Sequence, residues 1–439
     1  MKTSTLRRCL LCLLLHVLVS LAQGLDSKPC HKQDHDSTIQ ILHVHSPCSP
    51  FQPPSPPSSW EESVLQMQSE DQARLIYLSS LVAGKSILPV ASGRQIIQSP
   101  TYIVMVKVGT PPQTMFMAMD TSNDAAWVPC SDCVGCASAL FAANKSTTFR
   151  TAGCQAPLCK QVPSSTCSGS SCSFNMTYGG STLSAALSFD TVTLAKDAVP
   201  GYAFGCVQRI TGSSLPPQGL LGLGRGPMSL LSQTPNLYQS TFSYCLPNFR
   251  SLNFSGSLKL GPTAQPKTIR FTPLLRNPRR STFYYVNMIG IRVGRRVVNI
   301  LPSALAFNPA TGAGTIFDSG TVFTRLVEPA YNAVRDEVRR RMGNATVSSL
   351  GGFDTCYSVP MTAVPTVVFM FEGLNMTLAQ DNFLIHSTAT KITCLAMAAA
   401  PDGVNSVLNV IASMQQQDHR ILFDVPNSRL GVARELCTY

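Results

Sequence analysis

The chain has 439 residues, of which 44% are apolar and only 13% are charged, and its formal net charge is +11. This length accommodates two or three ordinary domains, or one bilobal protein with processing segments. So low a charged fraction argues against a soluble cytosolic protein. The 29 Gly and 31 Pro residues recur between short apolar and β-branched runs. That pattern favours many strands joined by turns over a helical bundle.

The first 24 residues have the three-part pattern of a secretory signal peptide. A basic start precedes Cys9, an apolar run extends from Cys9 to Leu21, and small residues near Ala22 offer a cleavage site. The alternative is a membrane anchor, but the run is shorter than the roughly 20 residues that a helical span needs. No other stretch of the sequence has the length and hydrophobicity of a span. We therefore expect an exported protein without a stable membrane anchor.

Residues 25–98 differ in composition and sequence pattern from the rest of the chain and are interpreted as a propeptide. Residues 53–57 form a Pro-rich stretch that cannot pack as a core element. A predicted helix follows over residues 60–81, and residues 83–99 form a connector that contains Gly and Ser. The apolar positions of the helix are Val64, Leu65, Met67, Leu75, Leu78 and Leu81. Such a segment suits a cover over a site that is later cut away; the alternative is a plain N-terminal arm.

Strand patterns begin at Tyr102. Residues 102–108 and 114–119 predict a hairpin whose second strand runs directly into Asp120. Much later, residues 312–317 run into Asp318 in the same manner. The repetition suggests a duplicated architecture that carries one carboxylate in each half.

We assign residues 99–265 to an N-terminal lobe and residues 266–439 to a C-terminal lobe. Helical patterns are few in both. The clearest spans residues 328–342, with Ala330, Tyr331, Val334 and Val338 on one face.

Asp120 and Asp318 each open a short polar turn. The first turn continues with Thr121, Ser122 and Asn123, and the second with Ser319, Gly320 and Thr321. Two carboxylates within hydrogen-bond reach cannot both ionise easily, so they share a proton and titrate as a coupled pair. The charged member can activate a water, and the protonated member can polarise a carbonyl. The hydroxyls of Thr121 and Ser319 are expected to bond across to the opposite lobe, and no metal or cofactor is required.

Much of the positive charge is local. Residues 266–300 contain eight Lys or Arg and no Asp or Glu, and a second group comprises Arg335, Arg339, Arg340 and Arg341. We favour a solvated basic face, because runs of like charge are usually that. The alternative is adhesion to an acidic polymer such as cell-wall pectin. Nucleic acid is a poor partner for an exported, disulfide-rich chain.

The sequence contains 16 Cys, and an exported protein is expected to oxidise them. Cys9, Cys12, Cys30 and Cys48 fall in the predicted signal peptide and propeptide. The other twelve permit six disulfides, and the metal-like spacing of the first three is better explained by disulfides than by zinc. These twelve are Cys130, Cys133, Cys136, Cys154, Cys159, Cys167, Cys172, Cys206, Cys245, Cys356, Cys394 and Cys437.

Five Asn-X-Ser/Thr triplets agree with export and predict surface glycans. They begin at Asn144, Asn175, Asn253, Asn344 and Asn375.

Several motifs resemble the pepsin-like aspartic protease family, and within it the plant nepenthesin-like group. The nearest likeness is to the apoplastic aspartyl protease subgroup with the variant turn Asp-Thr-Ser-Asn-Asp, and it covers about residues 102–439. The motifs lie at residues 102–104, 108–113, 127–130, 177–180, 219–225, 317–321 and 414–417, and residues 42–48 of the propeptide also look like that subgroup. The Cys-rich stretch from Cys130 to Cys172 resembles an insertion of the plant group.

The resemblance implies a mainly β, bilobal pepsin-like fold with two β-rich lobes, a central cleft and few short helices. It implies that Asp120 and Asp318 are the catalytic pair, that Tyr178 and Gly179 belong to a flap over the substrate, and that Trp127 bonds the tyrosine hydroxyl. It also implies a disulfide between Cys356 and Cys394; the other pairings stay open. We expect a monomeric aspartic endopeptidase that is made as a zymogen, is secreted to the apoplast rather than the vacuole, and acts on polypeptides.

The first turn departs from the commoner Asp-Thr-Gly-Ser of the family. Ser122 stands where Gly is usual and Asn123 where Ser is usual, and Ala412 replaces a frequent Gly in the second supporting loop. The main rival is therefore a catalytically weak or inactive binding or inhibitor protein on the same fold. A further alternative is a structural glycoprotein held on the cell wall by its basic residues. Both Asp are present, which favours catalysis.

Overall fold

Strands dominate the fold, as the alternation of apolar runs and turn residues predicts. The computed structural model describes residues 37–46, 48–51, 59–83, 102–136, 140–178, 180–212, 215–248, 256–387, 391–401 and 406–437. The predicted signal peptide, the Pro-rich stretch at residues 53–57 and connector residues 84–99 lie outside the described residues. None of the described helices is both long and apolar enough to cross a membrane.

The strands are numbered in chain order. They are β1 (Thr38–His43), β2 (Tyr102–Val108), β3 (Gln113–Asp120), β4 (Trp127–Val134), β5 (Arg150–Thr151), β6 (Ser165–Ser168), β7 (Ser171–Tyr178), β8 (Ser181–Leu194), β9 (Asp197–Thr211), β10 (Leu220–Gly222), β11 (Thr241–Cys245), β12 (Gly256–Leu260), β13 (Arg270–Leu275), β14 (Tyr285–Val286), β15 (Met288–Val293), β16 (Arg296–Val297), β17 (Gly314–Phe317), β18 (Thr324–Leu326), β19 (Ser348–Leu350), β20 (Phe353–Tyr357), β21 (Val367–Phe371), β22 (Leu374–Thr377), β23 (Leu384–His386), β24 (Thr393–Leu395), β25 (Met397–Ala399), β26 (Leu408–Ile411), β27 (His419–Asp424) and β28 (Arg429–Arg434).

The helices of the described residues are mostly single turns. They are α1 (Trp60–Ala83), α2 (Leu230–Gln233), α3 (Pro235–Tyr238), α4 (Pro302–Leu305), α5 (Glu328–Met342) and α6 (Ser413–Gln416), with 3-10 turns at Ala143–Lys145, Cys159–Gln161, Met361–Ala363 and Gln380–Asn382.

An antiparallel sheet of six strands connects the two lobes. Its order is β1-β12-β11-β27-β28-β13. The strand β1 belongs to the N-terminal segment, by which we mean residues 37–83, and it also pairs with β2. Its side chains Ile39 and Ile41 are fully buried in the main apolar core. The N-terminal segment is therefore part of the central sheet rather than a loose arm.

Each lobe brings one Asp to the end of a strand that lies parallel to a second strand. In the N-terminal lobe β3 ends at Asp120, and its parallel neighbour β10 places Gly222 opposite it. In the C-terminal lobe β17 ends just before Asp318, and its parallel neighbour β26 places Ile411 opposite Phe317. The neighbours pair in turn with an antiparallel strand, β10 with β4 and β26 with β18. The same arrangement occurs in both halves, as the repeated sequence pattern predicts.

The remaining strands extend each lobe. In the N-terminal lobe the hairpin of β7 and β8 pairs Tyr178 with Ser181 at its tip, and β9 lies antiparallel to β8. The C-terminal lobe adds two four-stranded sheets, β16-β15-β21-β22 and β19-β20-β24-β23. The predicted bilobal, mainly β fold is confirmed.

The two helices predicted from sequence are both present. Helix α5 has the predicted bounds, and Ala330, Tyr331, Val334 and Val338 are buried against the C-terminal lobe. Helix α1 extends two residues beyond the predicted end.

The buried face of α1 contacts the C-terminal lobe. Val64 and Met67 pack with Phe323 and Phe353, while Leu75 and Leu78 pack with Phe283. Leu65, another apolar position of the predicted helix, is 39% exposed. It falls outside the packed stripe because the helix lies on the lobe's surface, so only a narrow face is buried.

Six disulfides join the twelve described cysteines that follow the N-terminal segment. The pairs are Cys130–Cys206, Cys133–Cys136, Cys154–Cys167, Cys159–Cys172, Cys245–Cys437 and Cys356–Cys394. The last is the pair that the family resemblance implies, and it links directly opposed residues of β20 and β24.

Candidate active site

Asp120 and Asp318 lie together at the junction of the two lobes, and neither is exposed to solvent. Each is held by the backbone of the parallel strand beside it. The N–H of Leu223 donates to the carbonyl of Asp120, and the N–H of Asp318 donates to the carbonyl of Ile411. Gly222 allows this close approach, because a Cβ there would lie 2.2 Å from the carbonyl oxygen of Asp124.

The two turns are bonded to each other across the lobes. The N–H of Ser319 donates to Oγ1 of Thr121 at 3.0 Å, and the N–H of Thr121 donates to Oγ of Ser319 at 3.2 Å. The two hydroxyls then donate to backbone carbonyls of the opposite lobe, at Phe317 and Met119. These four bonds place the two carboxylates in a fixed register.

Each carboxylate accepts bonds from its own turn. The N–H of Ser122 donates to Oδ1 of Asp120 at 2.8 Å, and the N–H of Gly320 donates to Oδ1 of Asp318 at 3.0 Å. The variant residues add donors: Oγ of Ser122 lies 3.0 Å from Oδ1 of Asp120, and Nδ2 of Asn123 lies 2.8 Å from its Oδ2. In the second turn, the Thr321 hydroxyl donates to Asp318. The substitutions in the first turn therefore keep its donors.

The cation Arg74 lies between the two carboxylates. Its Nη1 contacts Oδ2 of Asp120 at 2.9 Å, and its Nη2 contacts Oδ1 of Asp318 at 2.9 Å. Nη2 also lies 2.9 Å from Oδ1 of Asp120 and 2.5 Å from Oγ of Ser122, and Nε lies 3.0 Å from Oδ2 of Asp318. The side chain of Arg74 is only 5% exposed. One guanidinium thus fills the space between the two Asp.

This charge changes the ionisation of the pair. Burial by itself would raise the pKa of Asp120, but the charge and hydrogen bonds of Arg74, with the donors of Ser122 and Asn123, bring that pKa below its usual value. The two carboxylates in turn raise the pKa of Arg74 well above its usual value against the opposing effect of burial. The positive charge replaces the shared proton that two neighbouring carboxylates would otherwise need.

The position of Tyr178 corrects one expectation. We expected its hydroxyl to bond Trp127. Instead that hydroxyl donates to Oδ2 of Asp120 at 3.0 Å and accepts from Nη1 of Arg74 at 2.9 Å. The indole Nε1 of Trp127 is buried without a hydrogen-bond partner. Arg74 is a charged donor and Asp120 a charged acceptor. Hydrogen bonds to charged groups are stronger than a bond to the neutral indole N–H, so the hydroxyl bonds these two residues instead.

Further contacts fix helix α1 over the cleft. The carboxylate of Asp71 accepts from the N–H of Val322 at 2.6 Å and from the N–H of Phe323 at 2.5 Å. Oε1 of Gln68 accepts from the N–H of Gly352 at 2.5 Å. Asp71 lies three residues, nearly one helical turn, before Arg74, so both project from the same face of the helix.

The other predicted site residues have separate places. Gly179 and Asn253 lie outside the described residues. Asn144, Asn175, Asn344 and Asn375 are exposed, as glycan acceptors must be. Among the described residues there is no group of three His, Cys, Asp or Glu placed to hold a metal ion.

Sequence reasoning missed Arg74, Asp71 and Gln416. A signal for Arg74 was present: it is the only Lys or Arg between Trp60 and Ala83, and it precedes the apolar Leu75. A lone cation in the buried stripe of a predicted covering helix indicates a buried anionic partner. Gln416 lies in the motif at residues 414–417, to which the sequence alone assigns no role. Its Nε2 donates to the carbonyls of Asp318 at 3.1 Å and Ile411 at 2.8 Å.

Comparison with known proteins places this fold and site in a class. Residues 102–262 match the family model described as xylanase inhibitor N-terminal, and residues 283–434 match the one described as xylanase inhibitor C-terminal. Aspartyl protease AED3 of Arabidopsis thaliana is 53% identical over 422 residues, which are 92% of each chain. Aspartyl protease 25 of Oryza sativa subsp. japonica is 46% identical over 409 residues, 88% of this chain and 92% of the relative.

A solved structure supports the fold alone. The crystal structure of edgp aligns with a TM-score of 0.64 at 21% identity, over 76% of this chain and 92% of that one. The bilobal fold with paired Asp turns is that of aspartyl proteases. The chain belongs to the pepsin-like aspartyl protease family, and it is an aspartic endopeptidase.

Replacing Gln416 should destabilise the second turn. The Gln416→Ala change removes two buried donors and the acceptor of the Tyr244 hydroxyl. Leaving such groups unsatisfied should lower the free energy of unfolding by about 2–4 kcal/mol. Urea unfolding measures this loss. Gln380→Ala, which removes a single bond to Met361 on a partly buried turn, should cost less than about 1 kcal/mol; equal costs for the two variants would contradict the assigned support.

Proposed function

We propose that Asp120 and Asp318 are the catalytic pair of a secreted aspartic endopeptidase, made as a zymogen and acting on polypeptide chains. The observation that carries the proposal is the position of Arg74, which bonds both carboxylates from a helix of the N-terminal segment. Burying two carboxylates is energetically unfavourable unless they are paired with a cation or hydrogen-bonded. We interpret Arg74 as a cation that pairs with them only in the zymogen. We interpret catalysis as the reason why the chain keeps both carboxylates.

Once Arg74 leaves, the two carboxylates share one proton. The ionised member takes a proton from a bound water, whose oxygen attacks the carbonyl carbon of the scissile peptide bond. The protonated member donates to the carbonyl oxygen, which becomes the second hydroxyl of a tetrahedral intermediate. The member that took the proton from water then gives it to the leaving nitrogen and the C–N bond breaks, while one hydroxyl of the intermediate returns its proton to the other carboxylate as the carboxylic acid product forms. The N–H groups of Ser122 and Gly320 keep the two carboxylates oriented throughout.

The rival is a weak or inactive binding protein on the same fold. The names of the matching family models refer to inhibitors. Against that reading, both carboxylates are present, and Ser122 and Asn123 donate to Asp120 rather than displace it. Catalysis is therefore the better supported function.

Export to the apoplast is part of the proposal. It is supported by the predicted signal peptide, by the six disulfides, which persist in oxidising compartments, and by the exposure of four of the five predicted glycan acceptors. Adhesion to an acidic wall polysaccharide stays a secondary proposal that rests on the basic stretch of residues 266–300.

Activity of the pair can be tested directly. The full chain is acidified and its cleavage of a fluorogenic peptide library is followed, with and without a pepstatin-type inhibitor. We expect acid-dependent cleavage that the inhibitor blocks and that Asp120→Asn and Asp318→Asn each reduce by at least about 10³-fold, since either change removes one half of the proton exchange. Wild type and variants that cleave equally poorly across the acid range would favour the binding protein.

The N-terminal segment has the contacts that a zymogen inhibitor needs. Helix α1 closes the cleft through Arg74 and attaches to the C-terminal lobe through Asp71, while β1 pairs with both β12 and β2. The cover is thus held at both ends. We propose that residues 25–98 are the propeptide and that the enzyme is proteolytically inactive while Arg74 bonds the two carboxylates.

Removing the guanidinium should release this inhibition. Arg74→Ala leaves two buried carboxylates without compensation, which weakens docking of the propeptide by about 3–5 kcal/mol. The unprocessed variant should therefore cleave peptides at pH 5–6, where the unprocessed wild type does not, and gel analysis verifies that the propeptide is still attached. Gln72→Ala changes an exposed residue of the same helix, and the unprocessed chain of this variant should cleave no peptide, like wild type. An unprocessed Arg74→Ala chain that also cleaves no peptide would overturn the assigned inhibition.

Acid acts on the docked state in opposing directions through different groups. Burial, helped by His45, holds the pKa of His43 well below its usual value, so docking weakens as the pH falls through about 6.5, the ordinary imidazole value. The lowered pKa of Asp120 acts in the same direction, because the docked state holds its carboxylate ionised. Asp71 opposes both, because burial raises its pKa to about 7 and its protonation then favours docking.

The contribution of His43 can be isolated. His43→Phe keeps an aromatic ring against Tyr102, which His43 contacts edge-on at 5.5 Å, but removes the titration. The onset of peptide cleavage should then require a lower pH than in wild type, by about half a unit or more. His43→Gln, which is also non-titrating but not aromatic, should shift the onset in the same direction. Shifts of opposite sign in the two variants would assign the effect to packing rather than to protonation.

A further inference from the structure

A cavity of about 600 Å³ adjoins the two carboxylates on the side of the first turn. Ser122 and Asn123, which both bond Asp120, are among its lining residues. The flap strand β7 contributes Phe174 to Thr177 along one wall. The cavity is therefore continuous with the place where a peptide bond would be cleaved, and it is wide enough for a side chain of the substrate.

The N-terminal segment already fills part of this space. Tyr77 lines the cavity, three residues after Arg74 on the same face of α1, and its ring lies 6.5 Å from that of Tyr178. Helix α1 thus presents a cation to the carboxylates and a tyrosine to the adjoining cavity. When the helix leaves, both positions become open to a substrate.

Another part of the cavity lining is basic. Arg279 and Arg280, from the stretch of residues 266–300 that lacks Asp and Glu, line it together with Phe283. The guanidinium of Arg279 donates to the carbonyl of Ala310 at 3.2 Å, and that of Arg280 donates to the carbonyl of Arg279. Within the described part of the chain, neither guanidinium forms an ion pair.

Asp124 is the one carboxylate among the cavity's lining residues. It is engaged on both oxygens, by the N–H of Gly226 at 2.8 Å and by the hydroxyl of Thr282 at 2.7 Å. Burial raises its pKa despite these bonds. In acid its charge is therefore easily neutralised, while both arginines stay charged.

We propose that this cavity is a substrate subsite that selects an acidic side chain, with Arg279 and Arg280 as its specificity-determining residues. The inference rests on the proposed endopeptidase function. A carboxylate of the substrate would accept from the guanidinium groups, and its aliphatic stem would contact Phe174 and Phe283, which also line the cavity. A basic side chain at the same position would be repelled.

The preference must depend on pH and on salt. Asp and Glu side chains ionise near pH 4, so the attraction is present above about pH 4 and is lost as the substrate carboxylate is protonated below it. Both arginines are near the surface, where each charge pair changes a rate constant only about 1.5- to 5-fold. We expect about a three- to tenfold preference for Glu over Gln at one subsite, smaller in 0.5 M NaCl because salt screens exposed charges.

Matched peptides measure this preference. Peptides that differ only by Glu or Gln, placed in turn at each of four positions on either side of the scissile bond, are digested by the acid-activated chain at pH 5.5 and at pH 3. In wild type the ratio of kcat/KM for Glu over Gln should exceed about three at one position at pH 5.5 and approach one at pH 3. Arg279→Gln with Arg280→Gln should lower that ratio towards one, and Arg280→Glu should favour a Lys peptide instead.

The control variant removes the same number of charges elsewhere. Arg295→Gln with Arg296→Gln alters two exposed residues of the same basic stretch that do not line the cavity, and the Glu-over-Gln ratio should stay at its wild-type value. A ratio that is equal in wild type and in the Arg279/Arg280 variants, in a protein that does cleave the Gln peptides, overturns the subsite and leaves the protease intact. Failure to cleave any peptide, Gln or Glu, overturns the proposed function and the subsite with it.

Discussion

The site between the two lobes depends on one guanidinium, that of Arg74, whose positive charge compensates the negative charges of two buried carboxylates. Asp120 and Asp318 are fully buried, and a pair of unpaired carboxylates in such surroundings would have to give up a charge. Arg74 removes that need, because its planar group offers several donors in a fixed geometry and bonds both carboxylates at once. The same contact places helix α1 against the two carboxylates, so one group both balances their charge and covers them.

The two lobes supply what Arg74 alone does not, a fixed distance between the carboxylates. The crossed bonds of Thr121 and Ser319 set the register of the turns, and the parallel strands β10 and β26 support each turn from behind. Strand β1 pairs with strands of the central sheet, and helix α1 contacts the two turns through Arg74. Because β1 pairs with both β12 and β2, leaving the cleft requires the segment to break a sheet as well as an ion pair.

Local features of this structure could be predicted from the sequence, and distant ones could not. The strands that run into Asp120 and Asp318, the bounds of α5 and most of α1 follow from periodicity and from turn residues. The bond between Arg74 and Asp318 joins residues 244 positions apart, and no pattern in the sequence specifies such a distance. The hydroxyl of Tyr178 was placed wrongly for the same reason. Its partner depends on which groups surround the dyad, and the arrival of Arg74 changes that set.

The two turns differ in sequence, with Ser122 in the first at the position of Gly320 in the second, and the contacts of Arg74 offer a physical explanation of this difference. At Gly320 an added Cβ would lie 2.5 Å from Nη2 of Arg74, so a side chain there would displace the guanidinium from its present position. At Ser122, the corresponding position of the first turn, the side chain fits and its oxygen contacts the same Nη2 at 2.5 Å. The departure from glycine thus adds a ligand for Arg74 without removing a donor to Asp120. Ser122 therefore helps to hold helix α1 against the first turn.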